Sequence, residues 1–363
     1  MNIGIFTFFQ TNYGAVLQAY ALQHYLEQQD GVHAEIVDFT TAEHLKAHRV
    51  FQKATGRNPF KALRFYLCSL IHHKSLKKRI DRTWEFKDKF MHYTRRFSTV
   101  EDVLNNHPVE DIYLTGSDQV FNPQGLYLPV YYLDFDKGKG KKAAYAPSFG
   151  VSQYSEELTK KITPYINDFD FLSCRESSGA EYLRTITGKD VPVVVDPVLL
   201  HDANEWDNVA VSPDFEGNYI FIYDLNGGDN LVKIAKIIQG KTHLPIVCLT
   251  GNRIKKYKVD KQVFDSGPSE FVGWIKNASY VVTDSFHGTV FSVIYNKQFF
   301  SFIAYERTSY RILNILGKLG LDNRIITKKD LNSFEFNELM QTDSYSIDSL
   351  VADSKSFLNY ILS

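Results

Sequence analysis

The sequence predicts an α/β protein built from two parallel-sheet units in tandem, on three observations. The residues up to Phe39 alternate strand, helix, strand. The same alternation restarts near residue 218 after a polar stretch, and almost every apolar run ends in a cluster of small polar or charged residues. At 363 residues the chain also exceeds the size at which one core usually stays single.

The elements follow in order. "NIGIFTF" is a short apolar strand, and "TNYGAVLQAYALQHYLEQQ" places Ala15, Ala19, Leu22 and Leu26 on one helical face. Asn12 has the chemistry of an N-cap, and "DGVHAEIVDF" supplies a turn and a second strand, completing a βαβ unit. From about 41 to 108 the rhythm is helical and basic, with Phe60, Leu63, Leu67 and Leu70 in one stripe. Strand-like runs return as "DIYLTGS", "KAAYAPSFG", "FDFLSCRES" and "VPVVVDPVLL". The first domain is therefore expected over 1–203, with the basic helical segment inserted in it, and a linker over 204–217. A second domain is expected over 218–340, alternating from "YIFIYDLN" to "QFFSFIAY", and a C-terminal helix over 341–363 packs back.

Composition excludes several classes. Hydrophobic residues are 44% and charged residues 23%, with formal net charge -1, so the chain as a whole is neither disordered nor a polyanion binder. Between Leu45 and Phe97, however, 15 Lys/Arg stand against three acids and four histidines. That stretch suits an anionic glycan, a nucleic-acid backbone or lipid headgroups, and equally a solvated helical face. Cys68, Cys174 and Cys248 lie far apart among apolar neighbours, the pattern of reduced thiols rather than a disulfide frame or zinc site. The N-terminus lacks the features of a secretion signal and no run reaches the ~18–20 apolar residues of a membrane span, so a cytoplasmic location is expected. Dinucleotide and P-loop spacings are absent, "APSFG" is not a G-x-S-x-G elbow, and "IHHK" lacks metal spacing; no metal is expected.

In open α/β sheets, ligands bind beyond the carboxyl ends of the strands, which directs attention to the polar clusters. "QTNYG" offers Asn12, Tyr13 and Gly14, and "TGSDQVFNP" offers Gly116, Ser117, Asp118 and Gln119. Asp118 could accept a proton from a sugar hydroxyl, or the segment could be an Asx-type turn. Arg175 in "SCRESSG" presents a fork for carboxylate or phosphate, or a salt bridge to Glu176. Asp224 closes the first strand of the second domain. In "TDSFHGT" a helix is expected to start near Ser285–Gly288, with Thr289 behind it. Its N–H groups and dipole would favour an anion, Gly288 would let a ligand approach, and His287 suits proton transfer. The alternative is that Ser285 or Asp284 simply caps the helix. Arg307 and Arg311, one helical turn apart, could close over an anion.

Five of these pieces, "NYGAVLQAYAL", "TGSDQVFNP", "SCRESSGAEYL", "VVVDPVLL" and "YVVTDSFHGTVFSVIYNKQFF", resemble in order the polysaccharide pyruvyl transferase family, over about residues 3–325. The resemblance implies two Rossmann-like domains facing across a cleft, GT-B-like, and transfer of pyruvate from phosphoenolpyruvate onto a sugar as a ketal. It gives His287 and Arg175 the places of the family histidine and of a donor-binding arginine. Characterised members often carry Asp-Arg-Leu-His-Gly; here Ser285 stands in the arginine position, so that contact is either missing or supplied from elsewhere, with Arg307 and Arg311 as the candidates. Partners expected on this reading are a sugar or lipid-linked glycan acceptor, no nucleic acid, and the cytoplasmic membrane face, with no cofactor beyond the donor substrate. The rivals are a GT-B-like glycosyltransferase using a nucleotide sugar and a non-catalytic glycan-assembly protein.

Overall fold

The computed structural model describes residues 1–10, 12–47, 49–52, 58–125, 127–151, 154–304, 306–336 and 345–363, with the side chains of 47 and 306–309 outside that description. The chain divides into two units: Met1–Leu45 with Lys87–His201 and Ser346–Ser363, and Lys46–Phe86 with Asp202–Tyr345.

The first unit is built on β1 (Asn2–Phe6), β2 (His33–Ile36), β3 (Ile112–Thr115), β4 (Lys141–Ala144) and β5 (Phe171–Leu172). They form one parallel sheet in the order β2-β1-β3-β4-β5. This is the flavodoxin-like order, whose direction of winding reverses between β1 and β3. The helix Tyr13–Glu27 begins as expected, with Asn12 Oδ1 accepting from Gly14 N at 2.9 Å. "VPVVVDPVLL" departs from expectation: only Val193 bridges Cys174, and Pro197–Leu200 is a short 3-10 turn. Two prolines remove ladder donors there, and Asp196 accepts from Val198 N to start the turn. The C-terminal helix Asp348–Leu362 belongs to this unit; Ser354 Oγ accepts from Val195 N at 2.9 Å.

The second unit holds β6 (Ile220–Asp224), β7 (Ile246–Thr250), β8 (Lys261–Val263), β9 (Tyr280–Thr283), β10 (Gln298–Ile303) and β11 (Ile325–Thr327). Their order is β8-β7-β6-β9-β10-β11, all parallel. Counted within the unit this is the 3-2-1-4-5-6 winding of the dinucleotide fold, reversing between β6 and β9. The strands are buried on both faces, which is why they read as continuous apolar runs.

Two expectations about organisation change. Residues 46–86 group with the second unit rather than the first. The cause is specific: Arg253 stacks over Phe65 at 4.9 Å and donates to Val50 O and Ser69 Oγ, while Arg82 pairs with Asp265 and Glu270. The stretch read as a linker is also part of that unit. Asp202 and Glu205 form a capping box for the helix Ala203–Asp207, and Trp206 is buried against Phe291. The stripe of Phe60, Leu63, Leu67 and Leu70 faces solvent; the buried side of the helix Pro59–Ile71 is Phe65 and Ser69.

Candidate functional site

At the reversal point of the first sheet, the ends of β1 and β3 are laced together by a fully buried amide. Gln18 Nε2 donates to Thr7 Oγ1 and Phe8 O, both at 2.9 Å, and its Oε1 accepts from Ser117 N at 3.2 Å. Thr7 Oγ1 in turn donates to Ser117 O. Gly116, with φ +115°, has to be glycine, because a Cβ would sit 2.0 Å from Tyr145 O. Asp118 follows with φ 64°, and its carbonyl accepts from Ser148 N at 2.8 Å. Holding a non-glycine residue there costs backbone energy that the surrounding hydrogen bonds must offset.

Arg175 reaches into this loop from the end of β5. Its Nη1 donates to Asp196 Oδ2 at 2.5 Å, its Nε to Glu176 Oε1 at 3.1 Å, and Nη2 lies 3.7 Å from Asp118 Oδ1. Burial works against its charge, yet the carboxylates of Glu176, Asp196 and Asp118 hold the guanidinium above its ordinary range. Ser117 Oγ donates to Ala146 O at 2.8 Å and lies 3.4 Å from Asp196. Of the two readings of Arg175, the structure shows the salt bridge to Glu176, and the fork is occupied by carboxylates rather than open. A guanidinium facing three carboxylates has its charge balanced by them and orders an acidic cluster. Asp118 is the member nearest to solvent, with 17% of its side chain exposed against 7% for Glu176 and 0% for Asp196.

The neighbouring expected residues are placed as follows. Asn12 caps its helix, Tyr13 and Gly14 are buried, and Gln119 accepts from Asn122 Nδ2 at 2.9 Å. Tyr13 is thus a packing residue. Lys87 was not anticipated: it is buried, its Nζ donates to Gln10 O at 3.1 Å and lies 4.7 Å from the centre of the Phe9 ring. Burial pulls its pKa down to about 7, with Asp38 opposing and Arg96 reinforcing the fall.

In the second unit the loops after β6 and β9 are tied by two acids. Asp224 Oδ1 accepts from Gly228 N, and its Oδ2 from Thr250 Oγ1 and Tyr257 OH at 2.9 and 2.7 Å. Asp284 accepts from Leu225 N and Asn226 N at 2.9 and 2.7 Å. Burial pushes the Asp284 carboxyl up, against those two donors, and Asp224 adds to the rise. Asp224 is accordingly a loop organiser rather than an exposed contact.

The helix Phe286–Ile294 then starts with Ser285 as its N-cap, its Oγ accepting from Gly288 N at 3.2 Å. Ser285 N donates to Thr283 Oγ1, and Thr289 Oγ1 engages Ser285 O and Ser301 Oγ. Ser285, rather than Asp284, is therefore the cap. Gly288 serves helix-to-strand packing, since a Cβ would lie 2.6 Å from Thr283 Oγ1, and Thr289 is a buried packing residue. His287 sits in the first turn, 6% exposed, its ring edge-on to Phe286 at 5.1 Å. Arg311 sets its guanidinium 5.5 Å from the Phe286 ring centre, so this arginine does flank the helix start. The Arg307 side chain lies outside the described residues.

A cavity of about 720 Å³ opens at the ends of β6 and β7, lined by Arg64, Phe65, Leu225, Gly251, Arg253 and Lys255 among others. The lining includes three cations, Arg64, Arg253 and Lys255, the last paired with Asp229 at 2.5 Å, and this set suits an anionic ligand. Arg64 arrives from a segment 190 residues away to donate to Ile254 O, a placement no local pattern foretells.

Comparison with solved structures gives the fold. UDP-GlcNAc 2-epimerase from Neisseria meningitidis bound to UDP-GlcNAc aligns with TM-score 0.52 and 9% identity, over 100% of this chain and 99% of that one. The Methanocaldococcus jannaschii UDP-GlcNAc 2-epimerase in complex with UDP-GlcNAc and UDP gives 0.50 and 12%, over 99% and 100%. A putative UDP-N-acetylglucosamine 2-epimerase from Listeria monocytogenes gives 0.53 and 10%, over 99% and 88%. These likenesses and the two sheet orders establish a pair of Rossmann-like units of the GT-B kind. No curated protein sequence matches the chain. The family profile described as polysaccharide pyruvyl transferase matches residues 12–307, taking in the Gln18 lacing, the Arg175 cluster and the His287 turn. On that match the chain belongs to the polysaccharide pyruvyl transferase family.

Proposed function

We propose that the protein transfers a pyruvyl group from phosphoenolpyruvate to two hydroxyls of a sugar, in a cell-surface polysaccharide or its lipid-linked precursor. The observation that carries this reading is the family match, with His287 in the first turn of the helix that follows β9 at the sheet's reversal point.

Protonated His287 gives its proton to the methylene carbon of the donor, and the adjacent carbon takes on oxocarbenium character. A sugar hydroxyl oxygen bonds to that carbon while a carboxylate, for which Asp118 is the candidate, takes its proton. The second hydroxyl oxygen then bonds to the same carbon as that carbon's bond to phosphate breaks, and the hydroxyl proton leaves on the departing inorganic phosphate, closing the ketal. Arg311 is the candidate cation at the helix start, in the role that Ser285 leaves vacant. Arg175 acts as a positioning residue that fixes Asp118.

Phosphate release from phosphoenolpyruvate, measured with a panel of sugar and lipid-linked acceptors, tests the proposal, and mass analysis of the acceptor shows whether a ketal has formed. His287→Ala should abolish release while the melting temperature stays within a few degrees. Activity of that variant within a few-fold of wild type would remove His287 from the chemistry. Release of a nucleotide from a sugar nucleotide, with phosphoenolpyruvate inert, would favour glycosyl transfer instead.

A further inference from the structure

The helix Pro59–Ile71 inverts the usual arrangement of a surface helix. Phe60, Leu63, Tyr66, Leu67, Leu70 and Ile71 are 41–85% exposed, and they fall within one arc of the helical wheel. The opposite side, Phe65 and Ser69, packs onto the second unit, with Ser69 Oγ donating to Phe65 O and receiving Arg253. So the helix is anchored by its narrow side and offers its broad apolar side to solvent. Six large apolar side chains in one arc exceed the scattered exposure normal for a soluble surface.

The surroundings carry a strong charge. Residues 58–86, which group with the second unit, hold seven Lys/Arg and two Asp/Glu, a net of five positive charges in a chain whose formal net charge is -1; of these, Lys78 and Arg82 pair with Asp265 and Arg82 also with Glu270. Lys61 and Arg64 flank the apolar arc, and Lys74, Lys77 and Lys78 follow in the next helix, all exposed. With 13 residues at ~1.5 Å rise, the helix is about 20 Å long, too short to cross a bilayer. A short helix with aromatic and aliphatic residues on one side and cations beside them lies in the plane of a membrane interface.

We propose that this helix is a membrane-docking element that inserts its apolar arc into an anionic lipid surface. Charge complementarity selects that occupant: two copies of this surface meeting face to face would bring like charges together, whereas acidic headgroups neutralise them. Arg64 and Phe65 of the same helix line the cationic cavity, so docking sets that cavity at headgroup level. The inference stands apart from the proposed chemistry, because its readout is binding and not turnover.

The test is flotation of the purified protein with vesicles of phosphatidylcholine alone or mixed with phosphatidylglycerol. Wild type should float with the anionic vesicles and be released by high salt. Leu63→Asp with Leu67→Asp should weaken binding by about tenfold per leucine. Since both side chains are exposed, the melting temperature should hold. As a second measurement that leaves the surface apolar, Leu67→Trp should show a blue-shifted emission on adding anionic vesicles. Equal flotation with neutral and anionic vesicles, unchanged binding of the double aspartate variant, or a self-association that the aspartates abolish without any lipid binding would each overturn the proposal.

Discussion

Arg175→Met removes the guanidinium from a cluster that keeps Asp196, Glu176 and Asp118 within 2.5, 3.1 and 3.7 Å of it. Truncating one partner of a buried ion pair costs about 3–5 kcal/mol, because the other charge stays behind without compensation. Here two carboxylates at 0% and 7% side-chain exposure lose their guanidinium partner, although Asp196 keeps Val198 N as a donor, which puts the expected loss within that range at pH 7. Asp196 also starts the Pro197–Leu200 turn and Glu176 precedes the helix Ser177–Thr187, so the damage falls on the unit's own scaffold. Urea denaturation at pH 7 followed by far-ultraviolet circular dichroism reads this loss. A loss below about 1 kcal/mol would refute the assignment. A variant of normal stability that binds phosphoenolpyruvate weakly would return Arg175 to the donor-binding role.

Three further outcomes follow from buried groups and backbone geometry. Lys87, with its pKa pulled from 10.5 to about 7, leaves the unfolded chain holding the extra proton between those values, so wild-type stability should rise with pH across that window. The difference from Lys87→Met, taken from thermal unfolding at pH 6.5 and 9.5, should change by about 3 kcal/mol; a flat difference would contradict it. Glu110 is raised to about 7 by burial first, then by Glu35, with His33 opposing. Its stabilisation is complete below pH 4.5 and lost as pH climbs to 7, so Glu110→Gln should be more stable than wild type at pH 8 by roughly 1–3 kcal/mol, read by denaturant midpoint. Gly116→Ala places a Cβ 2.0 Å from Tyr145 O at φ +115° and should cost about 3 kcal/mol or more, seen as a lower melting temperature or loss of soluble protein.

The sequence by itself determined what depends on near neighbours. Helices and strands were legible because their apolar spacing is set within a few residues, and the caps at Asn12 and Ser285 because a side-chain oxygen answers an N–H two or three positions on. The family was legible from five motifs in order, matching residues 12–307. Tertiary structure alone decided the rest. The short strands Lys261–Val263 and Ile325–Thr327 carry too little pattern to be read, yet they complete the sheet. The partners that balance the charge of Arg175 include Asp118 and Asp196, 57 and 21 residues away, brought together at the carboxyl ends of the strands. The basic segment 46–86 joined the second unit through contacts of Arg253 and Arg82 that no local period records. Periodicity fixes which face of an element is apolar; which other element covers that face, or whether solvent does, is settled only when the chain has folded.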